Sequence, residues 1–224
     1  MTARIVAIVP MRHESERVPG KNYRHLGGRP LYHHIVETLS SIADIAETVI
    51  DTDSDLIRED AARSFPGVRV VDRPEGLRGG LLSMNDVLLN DVQQIEADYY
   101  VQTHSTNPFL TKESISHAIG EFLIGRNEHD SLFGVTRLQA RLWGSNGKAI
   151  NHDPAVLVRT QDLPPLFLEN SCLYLFSRKS LEQHKSRIGD RPILFEVPRG
   201  EALDIDDEAE FELAEALFLL RASR

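Results

Sequence analysis

A short apolar run near the start of the chain, followed directly by a basic loop, constrains the fold more than any other feature. Ile5 to Val9 is rich in β-branched residues, which is typical of a strand buried on both faces of a parallel sheet. From Arg12 to Arg29 the chain then carries five Lys/Arg against two acids, a local charge of +3. Guanidinium and ammonium groups beside exposed amides suit a polyphosphate. The alternative interpretation is a surface loop with scattered charges.

Strand and helix patterns alternate through the first half of the chain. Strand patterns at 47–51, 68–71 and 99–103 are separated by helical patterns at 30–42, 55–64 and 83–95, and a further helix follows at 111–123. This alternation predicts an α/β fold with a Rossmann-like, mostly parallel sheet and helices on both faces. Ligands of such sheets bind at the carboxyl ends of the strands, where the basic loop would lie.

The pattern changes after residue 130. A strand is predicted at 131–138, short antiparallel pieces at 142–158, strands at 168–176 and 193–197, and a last helix at 208–220. The antiparallel pieces are expected to turn at Asn146-Gly147 and Asp153-Pro154. We expect one domain over residues 1–224, with a small antiparallel excursion at about 137–170.

Composition limits the partners and the compartment. The net charge of −9 argues against a nucleic acid or an anionic membrane as the main partner. Cys172 is the only cysteine, which excludes a disulfide framework and a cysteine-based metal site. The start of the chain runs straight into a strand, and no apolar stretch reaches transmembrane length. These features predict a cytoplasmic protein.

Two motifs resemble those of a known enzyme family. Arg-x-x-Ser-x-Arg-x-Pro-Gly-Lys, from Arg12 to Lys21, resembles the signature of cytidylyltransferases that activate acidic sugars, the CMP-sialic acid and CMP-Kdo synthetases. Leu203 to Asp206 is similar to the family's metal-binding Leu-Asp-Ile-Asp. The resemblance implies that an acceptor oxygen attacks the α-phosphorus of CTP, that pyrophosphate leaves, and that a CMP ester of an acidic acceptor forms.

The resemblance also implies roles for individual residues. The implied CTP-binding residues are Arg12, Ser15, Arg17, Lys21, Asn22, Arg73 and Ser83. The implied catalytic residues are Lys21, Arg12 and Asp206, with His104 as a helper. Carboxylates at i and i+2 of an extended chain point to one side and suit Mg²⁺, so Asp204 and Asp206 are the predicted metal ligands, although acids before a helix also serve as caps. We expect Lys21 to be a solvated cation that contributes little to stability.

The implied acceptor-binding residues are Gln102, His104 and Asn170. His104 stands where the family has a glutamine, and a protonated imidazole there would attract an anionic acceptor; alternatively it is a structural histidine at a strand end. Asn170-Ser171 resembles the family's Asn-Gly, with serine in place of glycine.

The implied acceptor is a 2-keto acidic sugar such as a nonulosonate, and the implied assembly is a homodimer. Departures from the family pattern at 78–83 and 104–107 leave a non-sugar acid such as a phosphonate open. A catalytically silent nucleotide-binding homologue and a glycosyltransferase are further alternatives.

Overall fold

A seven-stranded sheet forms the centre of the computed structural model, which describes residues 3–80 and 82–222. Its strands are β1 (Ile5–Met11), β4 (Ile45–Thr52), β5 (Arg69–Asp72), β6 (Tyr99–Thr103), β7 (Ser131–Leu138), β8 (Leu166–Phe176) and β9 (Pro192–Glu196). Their order across the sheet is β5-β4-β1-β6-β8-β7-β9. Within the described residues β8 alone runs antiparallel to its neighbours. The mostly parallel sheet is therefore confirmed, and the reversed strand inside it is a feature that the sequence pattern did not predict.

Helices cover both faces of this sheet, because successive residues of the central strand point to opposite sides. Ala7 and Val9 pack in one apolar cluster with α1 (Leu31–Ser40), α2 (Asp55–Ser64) and α4 (Lys112–Gly125). Val6 and Ile8 pack in a second cluster with α3 (Met84–Gln94) and α5 (Arg178–His184). The last helix, α6 (Glu208–Ala222), packs on a two-stranded hairpin made of β2 (His25–Leu26) and β3 (Arg29–Pro30). The hairpin and α5 were not predicted.

Hydroxyl side chains define where four of the helices begin. Ser54, Ser83, Thr111 and Ser177 each accept a hydrogen bond from a backbone N–H in the first turn, at 3.3, 3.2, 3.2 and 3.1 Å respectively. Each bond satisfies a donor that has no partner within the helix. The starts of α2 and α4 were predicted from these caps.

The segment from 139 to 165 has little regular structure. One antiparallel bridge joins Trp143 to Ala149, and the turn between them contains Gly147 at φ 73°. Elsewhere side chains bind the backbone in place of a strand partner: Asn151, for example, bonds to the N–H of Leu142 at 2.9 Å and to the carbonyl of Ala140 at 2.8 Å. The antiparallel pairing predicted for 142–158 is thus limited to one bridge, because these short pieces have no neighbouring ladder to extend.

No helix within residues 3–80 and 82–222 is long and apolar enough to cross a membrane.

Candidate active site

A pocket of about 570 Å³ lies at the carboxyl ends of the parallel strands. Six separate parts of the chain line it: the end of β1 with the loop that follows, the segment from β5 into α3, the segment just after β6, β8, the loop after α5, and the segment before α6. The predicted residues among its lining are Arg12, Ser15, Arg17, Lys21, Asn22, Arg73, His104, Asp204 and Asp206. The fold thus brings together residues that are far apart in sequence, at the edge of the sheet that the strand pattern predicted.

The loop after β1 is shaped by one glycine and one asparagine. Gly20 has φ 67°, in the left-handed region that favours glycine, and a Cβ there would lie 2.7 Å from the Tyr23 ring. The Asn22 side chain donates to the carbonyl of Arg12 at 2.6 Å and accepts from the Ser105 hydroxyl at 2.6 Å. Asn22 therefore fixes the basic loop to the end of β6.

Lys21 is buried in the pocket wall, so its expected solvation was wrong. Its side chain is 10% exposed, and Nζ donates to the carbonyl of Ile205 at 2.5 Å. Nζ also lies 3.7 Å from the nearer Asp206 carboxylate oxygen, which Arg17 binds at 2.8 Å. Burial lowers the pKa of Lys21, against the opposing effect of Asp206 and Asp204. Two cations of the basic loop thus meet one of the two predicted metal ligands.

The two carboxylates before α6 have different surroundings. Between them, Ile205 is fully buried and its N–H donates to the carbonyl of Thr106 at 3.0 Å, which holds the segment beside β6. The Asp206 side chain is 46% exposed. Asp204 is more enclosed: its Oδ1 is buried without a hydrogen-bond partner in the described part of the chain, and burial raises its pKa. A buried carboxylate oxygen without a partner, next to a second carboxylate, fits a hard cation.

No group of three His, Cys, Asp or Glu residues that could hold a metal occurs in residues 3–80 and 82–222. Mg²⁺ does not require such a group, because it keeps several waters and commonly binds one or two carboxylates together with substrate phosphates.

Arg73 reaches the pocket wall, but its guanidinium is engaged in the core. It is 2% exposed and forms an ion pair with the fully buried Asp51. Asp91 is also fully buried beside this pair, and burial followed by the charge of Asp51 raises the pKa of Asp91 to about 8. Burial also raises the pKa of Asp51, and the positive charge of Arg73 is the strongest effect that opposes this rise. We therefore assign the proton to Asp91 and the negative charge to Asp51.

Ser83, Asn170 and the fully buried Gln102, which is described below, are not among the residues that line the pocket. Ser83 caps α3, as described above. The Asn170 side chain donates to Thr136 Oγ1 at 3.2 Å and accepts from the N–H of Cys172 at 3.2 Å. The structure gives the Ser83 and Asn170 side chains local contacts, and their roles with a ligand stay predictions.

The glycine-rich segment after β5 lies against the basic loop. A Cβ on Gly80 would be 2.8 Å from a carboxylate oxygen of Glu16 and 3.2 Å from Nη1 of Arg12. A side chain at this position would therefore displace the ends of the flexible Glu16 and Arg12 side chains. Both segments line the pocket, so both can contact the same ligand.

His104 and Gln102 belong to a network that the sequence did not reveal, because its third member is Arg187. Arg187 donates to Gln102 Oε1 at 2.6 Å, and Gln102 Nε2 lies 3.1 Å from His104 Nε2. Burial, Arg187 and Lys21 together lower the pKa of His104 to about 3. The imidazole is therefore neutral in the ligand-free protein, and the positive charge here belongs to Arg187. Arg187 and Ser171 line the pocket but were not predicted as site residues, since a single arginine in a polar loop has no distinctive sequence pattern.

Comparison with known proteins agrees with this arrangement. The cytidylyltransferase family matches residues 6–222. A CMP-N,N'-diacetyllegionaminic acid synthase from Legionella pneumophila is 28% identical, covering 97% of each chain. A pseudaminic acid cytidylyltransferase from Campylobacter jejuni is 24% identical, covering 95% of each chain.

A solved structure shares the fold. A CMP:2-keto-3-deoxy-manno-octonic acid synthetase complexed with CTP matches with a TM-score of 0.72 at 20% identity, covering 98% of this chain and 100% of that one. The resemblance deduced from the opening motif and from Leu203 to Asp206 is confirmed. This chain belongs to the cytidylyltransferase family, whose named relatives act on acidic sugars, and it is a nucleotidyltransferase.

Proposed function

We propose that the protein transfers CMP from CTP to an acidic acceptor, with release of pyrophosphate. The observation that carries this proposal is the meeting of the basic loop with the paired carboxylates across one pocket, through the contacts of Lys21 and Arg17 with the Ile205–Asp206 segment. Polyphosphate needs the cations, and a divalent ion that accompanies nucleotides needs the carboxylates. Both are at the edge of the sheet where nucleotides bind in such folds.

The proposed reaction is an in-line displacement. A hydroxyl oxygen of the acceptor forms a bond to the α-phosphorus of CTP, the bond from that phosphorus to the bridging oxygen breaks, and pyrophosphate leaves with the electron pair. The hydroxyl proton goes to water. Arg12, Arg17 and Lys21 would stabilise the charge on the leaving pyrophosphate, and their positions around the pocket would hold the phosphates for attack.

Asp204 and Asp206 would hold Mg²⁺, as the unpartnered Oδ1 of Asp204 supports. When bound, the cation would neutralise phosphate charge and polarise the reacting centre. The arginine and lysine that contact Asp206 in the ligand-free protein would then be available to the phosphates. In this way the cations of the loop would balance the negative charge of Asp206 before the nucleotide binds, and the negative charge of the triphosphate afterwards.

The proposed acceptor is a 2-keto acidic sugar of the nonulosonate or Kdo type, because the relatives are named for such sugars. A phosphonate acceptor is a second candidate, favoured by one observation: Arg187 adds a positive charge at His104, where the resembling family has a neutral glutamine. The match to cytidylyltransferases over residues 6–222 argues against a glycosyltransferase, and the presence of Lys21, Asp204 and Asp206 in one pocket argues against a silent homologue.

We also infer a homodimer and a cytoplasmic reaction. Large apolar side chains are exposed on the 137–170 segment, with Trp143 at 54%, Leu157 at 91% and Leu168 at 54%. Several large exposed apolar side chains within one segment favour an interaction site there. The cytoplasm is inferred because CTP is supplied there.

A pyrophosphate-release assay tests the proposal. The purified chain is incubated with MgCl₂, CTP and one acceptor at a time: Kdo, N-acetylneuraminate, pseudaminate or 2-hydroxyethylphosphonate. We expect release with at least one acceptor and a product whose mass is that of the acceptor plus CMP. Reactions without acceptor, and the Asp204→Asn/Asp206→Asn variant, serve as controls. Absence of release with every acceptor, in a preparation that binds CTP in calorimetry, would contradict the proposed function.

A further inference from the structure

Arg187 lies on the part of the pocket wall farthest along the sheet from the basic loop. That loop follows β1, His104 follows the neighbouring β6, and Ser171 and Tyr174 belong to β8, the next strand along. The Arg187 guanidinium carbon lies 3.5 Å from the centroid of the Tyr174 ring. The pocket therefore has cations at two ends, one on the β1 side and one on the β8 side, with His104 between them.

Neutral groups hold the Arg187 side chain in place. Nη1 donates to Gln102 Oε1 at 2.6 Å, and the guanidinium stacks on Tyr174. The backbone N–H of Arg187 donates to Asn85 Oδ1 at 3.1 Å, which fixes the loop to the start of α3. A guanidinium fixed on both its face and its edge loses little further freedom when it binds a ligand.

No carboxylate within residues 3–80 and 82–222 pairs with this guanidinium. None of the ion pairs there, defined by a nitrogen–oxygen distance of at most 4.0 Å, includes Arg187. Glu169, whose charge acts on Arg187, is exposed and accepts from the Tyr174 hydroxyl at 2.5 Å. Burial lowers the pKa of Arg187, yet a guanidinium stays protonated in proteins. The β8 side of the pocket thus carries a positive charge that no direct ion pair neutralises in the described part of the chain.

Ser171 adds a strained polar residue to the same wall. Its φ is 57°, a conformation that favours glycine, and the β7–β8 register shifts between Phe133 and Val135, opposite this position. Ser171 lines the pocket, and its Oγ lies 3.5 Å from the Tyr174 hydroxyl. A non-glycine residue in this conformation is strained, and such strain concentrates at ligand sites.

We propose that Arg187, together with the Ser171 hydroxyl and the neutral imidazole of His104, binds an oxyanion of the acceptor and determines which acceptors are used. The oxyanion is a carboxylate or a phosphonate, since both accept two parallel N–H bonds from a guanidinium. This inference rests on the proposed transfer reaction for the identity of the ligand. His104 contributes as a neutral donor: its Nε2 lies within hydrogen-bond distance of Gln102 Nε2, so we assign the ring proton to Nδ1.

Four variants test this subsite. Arg187→Met keeps an apolar side chain against Tyr174 but removes the charge. Arg187→Lys keeps the charge but removes the two parallel N–H donors of the guanidinium. Ser171→Gly removes the hydroxyl and relieves the backbone. Arg191→Met is the matched control, because Arg191 is an exposed arginine of the same loop. Binding of Kdo, N-acetylneuraminate and 2-hydroxyethylphosphonate is measured by calorimetry. The KM for CTP and the KM for the acceptor are then measured separately. Thermal unfolding establishes that each variant is folded.

The expected result is that Arg187→Met weakens acceptor binding by about 30- to 100-fold, while the KM for CTP stays within threefold. Arg187→Lys should weaken acceptor binding by about tenfold, Ser171→Gly by a few-fold, and Arg191→Met should resemble wild type. If Kdo or N-acetylneuraminate binds through Arg187, the oxyanion is a carboxylate; if only 2-hydroxyethylphosphonate does, it is a phosphonate.

Two outcomes would overturn the inference. One is a folded Arg187→Met or Arg187→Lys protein that binds the acceptor as tightly as wild type. The other is a wild-type protein that binds CTP but none of the three oxyanions. By contrast, a wild-type protein that binds an oxyanion through Arg187 but releases no pyrophosphate would refute the proposed reaction and leave the subsite in place.

Discussion

Replacing Lys21 by methionine separates the catalytic and structural roles of the basic loop. The substitution keeps an unbranched stem in the pocket wall and removes the ammonium group, which contacts both the Ile205 carbonyl and Asp206. We expect kcat to fall by about 10²–10³, because removing one preorganised charge-stabilising donor costs about 2.7–4 kcal/mol in the transition state.

The same substitution should also reduce stability, unlike the removal of a solvated lysine. It leaves the carbonyl of the fully buried Ile205 without its donor, a loss of about 1–3 kcal/mol. For a domain of 150–250 residues each kcal/mol moves Tm by roughly 2–4 °C. Relief of the cost of burying the ammonium offsets part of this loss, so we expect Tm to decrease by a few degrees.

The assay compares initial rates of pyrophosphate release at saturating CTP with Tm from circular dichroism. Lys148→Met is the control, since Lys148 is an exposed lysine outside the pocket and should change neither quantity. A kcat within tenfold of wild type, measured well below the Tm of the variant, would refute the assignment of Lys21 to the transferring phosphates. An unchanged Tm would refute the structural part of the argument.

Four further predictions follow from the site and the core. CTP should bind at least tenfold more tightly than ATP or GTP, since the relatives use CTP; equal affinities in calorimetry would contradict this. EDTA should abolish turnover, and added Mg²⁺ should restore it. Asp204→Asn should raise the Mg²⁺ concentration that gives half the maximal rate. If this concentration is unchanged in the variant, Asp204 is not a metal ligand. Burial raises the folded-state pKa of Asp91 to about 8, so the folded protein binds this proton more tightly than the unfolded chain does. The resulting stabilisation is complete below the ordinary pKa near 3.8 and is lost as pH rises towards 8. Asp91→Asn should therefore raise Tm relative to wild type more at pH 8.5 than at pH 5, and equal differences at the two pH values would exclude a protonated Asp91. Leu157→Glu, on the exposed apolar segment, should yield monomers in sedimentation if the protein is a dimer, and an unaffected dimer would place the interface elsewhere.

The local sequence determined the parts of the site that are continuous in the chain. The β-branched run of β1, the loop from Arg12 to Asn22, and the Asp204–Asp206 pair needed only residue type and spacing to be recognised. The alternation of strands and helices then placed the end of β1 and the loop after it at the carboxyl edge of the sheet. Parallel strands with helical crossovers present all their carboxyl ends on one side.

The tertiary structure decided the electrostatic state of those residues. Lys21 is buried where the carbonyl of Ile205, 184 positions away in sequence, accepts its hydrogen bond. His104 is neutral because burial lowers its pKa first of all, and the charges of Arg187, 83 positions away, and of Lys21 lower it further. Arg73 pairs with Asp51 because β4 and β5 are neighbours in the sheet. Burial and charge–charge distances depend on contacts between distant segments, so they set the protonation and the partners of each group only once the sheet is assembled.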